Sequence, residues 1–298
     1  MTASVTLPDG RVLAYEEYGD PTGFPVLSAH GGLSSRLDAA PAHEAALAKG
    51  IRLISPDRPG IGLSTYQAGR RLVDWPADVA QLTAALGIGR FAVMGWSAGG
   101  PYAAICAAKM GDRVTAGALL SSAVPLDLYG TTRGLTVEDR ALVFLTRRTP
   151  WLASALMKIS IVNANNARLF RAAMRTFPPA DRTVLTEWGP PDHALAFVRE
   201  AVRQGTEGCV QDYRIFGAPW GFSLEEIRVP VQIWEGADDR TGPPGYRAFL
   251  KRHIPQASVT VVPGEGHLSL LAHQAPAIFA ALLGGEEDAG PAARRSVG

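Results

Sequence analysis

Gly95-Trp96-Ser97-Ala98-Gly99 follows the apolar run Phe91-Ala92-Val93-Met94 and precedes an alanine-rich stretch with helical spacing. A serine between a strand and a helix has to occupy a sharp, strained turn, and glycines two residues to either side leave room for the backbones to approach. Such a turn lifts the hydroxyl clear of the sheet, which predicts an activated serine at position 97. A GxSxG string also occurs by chance in ordinary glycine-rich turns, so the rest of the chain has to supply what a serine nucleophile needs.

On both sides of this segment short β-rich runs alternate with amphipathic helical stretches, the pattern of a mostly parallel sheet with helices on both faces. Eight strands are predicted, at 4–7, 12–18, 25–29, 51–55, 91–94, 116–121, 231–234 and 258–262. The turn composition Pro8-Asp9-Gly10 makes the first two an antiparallel hairpin at the sheet edge. The others read as buried parallel strands. Helices are predicted at 39–49, 76–86, 99–110, 245–253 and 268–283, where apolar residues recur at helical spacing. Between about 125 and 220 the strand signal gives way to arginine- and alanine-rich helical segments broken by Pro150, Pro178-Pro179 and Pro190-Pro191. The predicted organisation is therefore an α/β core of 1–124 and 221–284, a helical cap of 125–220 inserted after the sixth strand, and a disordered tail over 285–298, where there is almost nothing to bury.

Composition narrows the function classes. The 298 residues suffice for a substantial core. The 29 Lys and Arg nearly cancel the 28 Asp and Glu and are scattered, so no electrostatic footprint for nucleic acid is present. Cys106 and Cys209, the only cysteines, belong to no CxxC pair and read as buried, inert thiols. The N-terminus lacks the basic start and apolar core of a signal peptide, and no apolar run approaches the roughly 20 residues of a membrane span. A cytoplasmic protein with a small-molecule substrate, and with neither nucleic acid nor membrane as partner, is expected.

A serine hydroxyl is a weak nucleophile at neutral pH and needs a base, a group to orient that base, and donors for the oxyanion. Asp239 lies in Trp234-Glu235-Gly236-Ala237-Asp238-Asp239, just beyond a predicted strand, and His267 follows the next one in Gly264-Glu265-Gly266-His267. All three side chains thus leave strand ends on one edge of the sheet, where open α/β sheets place their sites. His30-Gly31-Gly32 follows the strand at 25–29 and offers the Gly32 amide, with that of Ala98 as second donor.

With these motifs the chain resembles the α/β-hydrolase fold serine hydrolases, in the order nucleophile, acid, histidine. His30-Gly31-Gly32, Asp57-Arg58-Pro59-Gly60-Ile61-Gly62-Leu63-Ser64, the Ser97 turn, Gly236-x-x-Asp239-x-x-x-Pro243 and Gly266-His267 carry the resemblance, which covers almost everything outside the cap. It implies Ser97 as nucleophile, His267 as general base, Asp239 as orienting acid, Gly32 and Ala98 as oxyanion donors, and no metal or organic cofactor. Asp238, adjacent in sequence, and Asp127, past the sixth strand, are rival acids. Serine at position 97 separates the chain from the dehalogenase and epoxide hydrolase branches, which carry aspartate there.

Other residues read more plainly. His30 and Trp96 are candidate substrate-binding residues by their place beside the nucleophile, His30 chiefly as a shaper of the oxyanion loop. His43, His253 and His273 read as hydrogen-bonded or solvated helix residues, His193 as an exposed one, and Arg147-Arg148 as a solvated face. The glycines of 58–62 fit a tight turn better than a dinucleotide site. Of the cap aromatics Trp151, Phe170, Trp188, Phe197, Phe216 and Trp220, one or two are expected to face a ligand. The expected activity is hydrolysis of a small to medium, largely apolar carboxylic ester through an acyl-enzyme. Thioester, lactone, amide or carbon–carbon bond cleavage and acyl transfer share the same triad. A ligand-binding sensor on the same fold is the alternative from another class.

Overall fold

In the computed structural model, which describes residues 2–129 and 134–287, the eight predicted strands form one sheet. They are β1 (Thr2–Thr6), β2 (Val12–Gly19), β3 (Phe24–Ala29), β4 (Ile51–Pro56), β5 (Phe91–Trp96), β6 (Val114–Leu120), β7 (Val231–Gly236) and β8 (Ala257–Val262), in spatial order β1-β2-β4-β3-β5-β6-β7-β8. β1 pairs antiparallel with β2 and β2 antiparallel with β4, whereas every neighbouring pair from β4 to β8 is parallel. The carboxyl ends of β3, β5, β7 and β8 consequently share one edge.

Helices α1 (His43–Ala48), α2 (Trp75–Ala85) and α3 (Gly100–Lys109) lie between the early strands. The interval between β6 and β7 holds α4 (Leu126–Tyr129), α5 (Val137–Arg148), α6 (Pro150–Asn165), α7 (Ala167–Met174), α8 (Pro179–Glu187), α9 (Pro191–Ala194), α10 (Ala196–Ala201) and α11 (Glu207–Phe216). α12 (Gly245–His253) and α13 (Ser269–Glu287) complete the chain's described part.

Alternation along β5 shows why the sheet is covered twice. Phe91 and Val93 enter one core with Trp75 and Leu82 of α2, Ile105 of α3 and Leu250 of α12. Ala92, Met94 and Trp96 enter the other, with Ala46 of α1 and Ile278, Phe279 and Leu282 of α13. Side chains of successive strand residues point to opposite faces, so a strand apolar at every position has to be buried on both.

Three expectations need correction. β8 is not buried on both faces: Val259 and Val261 are 38% and 40% exposed, because β8 is the last strand and pairs only with β7. The helix expected at 39–49 begins as a tighter 3-10 turn over Arg36–Ala42 that contains Pro41, which has no N–H to continue an α-helical ladder. Finally, α13 runs to Glu287, three residues into the expected tail. Residues 288–298 lie outside the described ones.

Candidate active site

Ser97 follows β5 directly and has a φ of 56°, left-handed backbone that a non-glycine residue adopts only when its surroundings impose it. The surroundings are backbones at close quarters. A Cβ at Gly95 would run into the Gly99 carbonyl, and one at Gly99 into the carbonyls of Ala29 and His30 at the end of β3. The Ser97 carbonyl accepts the Ala123 N–H at 3.0 Å, which ties the turn to the segment after β6.

The loop carrying Gly32 is held from three directions. The Gly31 N–H donates to Asp38 Oδ2 at 2.9 Å, and Ser34 Oγ donates to the same oxygen at 2.8 Å. Arg58, fully buried, donates from its guanidinium to the carbonyls of His30 and Gly31. His30 Nε2 accepts the Arg58 N–H at 3.2 Å, which leaves Nδ1 to donate to the Gly31 carbonyl at 3.0 Å. Burial, with the Arg58 charge alongside, holds the His30 pKa well below the ordinary histidine value. His30 is thus a neutral brace with no exposed surface, and it does not line the cavity at Ser97. The structure places it behind the Gly31-Gly32 loop, outside the residues that line this cavity.

Behind Arg58 sits a charge cluster that the sequence did not disclose. Asp212 of α11 accepts from Arg58 Nε at 2.9 Å, from Tyr102 Oη at 3.1 Å and from Arg70. Burial alone would raise the Asp212 pKa, but the two guanidinium groups hold it well below the usual carboxylate range.

His267 emerges after β8, and its Nδ1 lies 2.7 Å from Asp239 Oδ2 in the loop after β7. Thr241 completes a triangle: its hydroxyl donates to Asp239 Oδ1 at 2.6 Å and lies 2.6 Å from the same Nδ1. These partners fix Nδ1 as the protonated nitrogen and leave Nε2 to accept a proton. Burial disfavours protonation of His267, yet the Asp239 carboxylate outweighs it and keeps the histidine's pKa above the ordinary value. Burial likewise works against ionised Asp239, but the His267 and Thr241 bonds hold it well below the usual range. Of the three acid candidates, Asp239 alone meets His267; Asp238 and Asp127 are exposed.

Trp96 packs its indole 5.0 Å from the His267 ring, centroid to centroid, and donates from Nε1 to the His267 carbonyl at 3.0 Å. Ser97, Ala98, Gly32, Trp96 and His267 all line one cavity of about 200 Å³, closed further by Leu135, Phe216, Tyr246, Tyr213 and Asp139. Among the described residues no hydrogen bond joins the Ser97 hydroxyl to His267, although both face this cavity.

Phe216 is the one of the six singled-out aromatics that lines the cavity. Trp188 and Phe197 pack edge to face against each other, and Trp151 is exposed. His43 accepts the Gly19 N–H, while His253 and His273 pair with Glu225 and Glu265. Both cysteines are buried and free. Thr241 had a sequence signal, a hydroxyl residue two positions beyond an aspartate in a loop. Asp139 and Tyr213, which also line the cavity, had none.

Comparison with known proteins agrees with this architecture. The profile of the α/β hydrolase fold matches residues 25–274, and the chain belongs to the α/β-hydrolase fold family as an enzyme of hydrolase type. It is 27% identical over 277 residues to an uncharacterized hydrolase of Bacillus subtilis (strain 168), covering 93% of this chain and 95% of the relative. Among solved structures it is similar in fold to an esterase from Exiguobacterium antarcticum, with TM-score 0.70, 20% identity, and coverage of 95% of this chain and 98% of the other. It is also similar to an epoxide hydrolase from Vigna radiata, with TM-score 0.73, 17% identity, and coverage of 97% and 98%. Among the described residues no cluster of three His, Cys, Asp or Glu side chains is placed to hold a metal ion, and no helix is long and apolar enough to cross a membrane.

Proposed function

We propose that the protein is a serine esterase that cleaves a small to medium, largely apolar carboxylic ester, with residues 125–220 serving as a cap over the site. Ser97 Oγ attacks the ester carbonyl carbon while its proton passes to His267 Nε2, and the carbonyl electron pair moves onto the oxygen, facing the Gly32 and Ala98 amides. The tetrahedral adduct collapses, the C–O bond to the alcohol breaks, and His267 returns the proton to the leaving oxygen. Water then attacks the acyl-Ser97 ester, gives one proton to His267 Nε2, and the acid departs as Ser97 is reprotonated. Asp239 stays ionised throughout and stabilises the imidazolium.

The observation that carries this reading is the 2.7 Å contact of Asp239 with His267 at the cavity that also exposes Ser97. Leu135, Phe216 and Tyr246 support an apolar acyl or alcohol group, and the cavity's volume supports one of modest size. Short p-nitrophenyl esters test it, together with labelling by a fluorophosphonate probe. Rapid labelling that disappears in Ser97→Ala, with loss of hydrolysis, is the expected result; full activity in Ser97→Ala overturns the mechanism. Absence of labelling with tight ligand binding favours the sensor alternative. A panel of acyl and alcohol variants then separates esterase from thioesterase, lactonase and acyltransferase.

A further inference from the structure

Asp181 lies in the first turn of α8, has no exposed surface, and reaches the His267 segment from 86 residues earlier in the chain. Its Oδ2 accepts the His267 N–H at 3.0 Å, and its Oδ1 accepts the N–H groups of Leu268 at 3.0 Å and Ser269 at 2.9 Å. Those amides open α13, where the helix leaves its first N–H groups without internal partners. The preceding residue is shaped to the same carboxylate: a Cβ on Gly266 would overlap it, and the Gly266 N–H turns instead to Ser269 Oγ at 2.8 Å. A carboxylate of the helical insertion therefore occupies the place that the glycine of Gly266-His267 leaves open.

We propose that Asp181 is a positioning residue, through which the helical insertion sets the orientation of His267 for proton transfer; this rests on the reading of His267 as general base. A buried carboxylate is costly unless it is offset, and among the described residues three backbone amides of 267–269 are its side-chain hydrogen-bond partners. Losing the registry of α8 against α13 would cost all three bonds together, so the backbone that carries the imidazole is tied to the packing of the insertion. Three carboxylates act electrostatically on His267, each from a different element: Asp239 from the loop after β7, Asp181 from α8 and Asp139 from α5. Each favours the imidazolium.

Asp181→Asn replaces one oxygen by an N–H donor that faces amide N–H groups, and removes a negative charge. The expected outcome with p-nitrophenyl acetate is a kcat lower by up to about 10²-fold with KM nearly unchanged, the scale set by a displacement of about 1 Å. The acid limb of the pH profile should move to lower pH, a shift that a purely structural role would not give. Gly266→Ala, which keeps Asp181 but crowds it, should reproduce the loss of kcat, and should add little in the Asp181→Ala background. An Asp181→Asn enzyme with kcat within about twofold of wild type and an unmoved limb, or additive effects of the two alanine variants, overturns the proposal. If the wild type cleaves no ester, the esterase reading fails by itself. The His267 imidazole can still be titrated by NMR in both proteins, where a lower midpoint in Asp181→Asn supports the role of Asp181 and equal midpoints overturn it.

Discussion

The Asp212 carboxylate of α11 lies 2.8 Å from Nη2 of Arg58, and that same nitrogen donates to the Gly31 carbonyl at 2.7 Å. A helix of the insertion thus braces, through one guanidinium, the loop that presents Gly32 to the cavity. Replacing Arg58 by Met keeps an unbranched apolar stem and removes all the side-chain donors. Asp212 then shares its buried charge with Arg70 alone, and breaking a buried pair in this way costs about 3–5 kcal/mol. We expect Arg58→Met to lose stability on that scale in urea unfolding and to lose kcat by up to about 10²-fold, with a smaller change in KM. Wild-type kcat in a folded Arg58→Met protein would show that the brace is not needed for turnover.

Asp239→Asn preserves shape but offers an N–H where His267 Nδ1–H now donates. The imidazole then turns to the tautomer with its proton on Nε2, where it cannot accept from Ser97. A fall in kcat on the order of 10⁴ is expected from single-turnover or steady-state assays. Asp238→Asn and Asp127→Asn, both at exposed positions, serve as controls and should stay within about twofold of wild type.

As the proposed general base His267 has to be neutral to take the serine proton, and burial is outweighed by Asp239 in setting its pKa above the ordinary value. Activity is therefore complete at alkaline pH and is lost as pH falls through a midpoint above about 6.5. Stability runs the other way: the histidine's contribution is fully present below its unfolded-state pKa and disappears as pH rises through the folded-state one. A kcat/KM profile with its acid midpoint below that of free histidine would contradict the assignment.

Asp38, which receives the Gly31 N–H, is raised to about 6, first by burial, which the bonds from Gly31 and Ser34 only partly offset. An unfolded aspartate titrates near about 3.9, so between these values the native protein binds the extra proton and stability falls as pH rises. Asp38→Asn cannot ionise. Its melting temperature relative to wild type should rise between about pH 4 and pH 7, and a constant difference across that range would disprove the effect.

How much of this was legible beforehand depends on the range of the interaction. The Ser97 turn, the Pro8-Asp9-Gly10 hairpin and the bounds of α12 are written in local sterics and periodicity, and the strand-by-strand alternation placed Gly32, Ser97, Asp239 and His267 at one sheet edge. Thr241 was within reach of the same kind of reading. His30 was not, because its burial follows from Arg58 folding across it.

The sequence by itself determined the layered α/β architecture and the chemical identity of the candidate triad, since turns, strand alternation and glycine contacts act over a few residues. Only the tertiary structure decided which partners hold the His267 segment and the Gly31-Gly32 loop: Asp181 against the His267 amides and Asp212 against Arg58, the latter 154 residues apart. Contacts of that span depend on how the insertion packs back onto the sheet edge, and a single aspartate in an amphipathic helix carries no periodic mark of the amide or guanidinium it will meet.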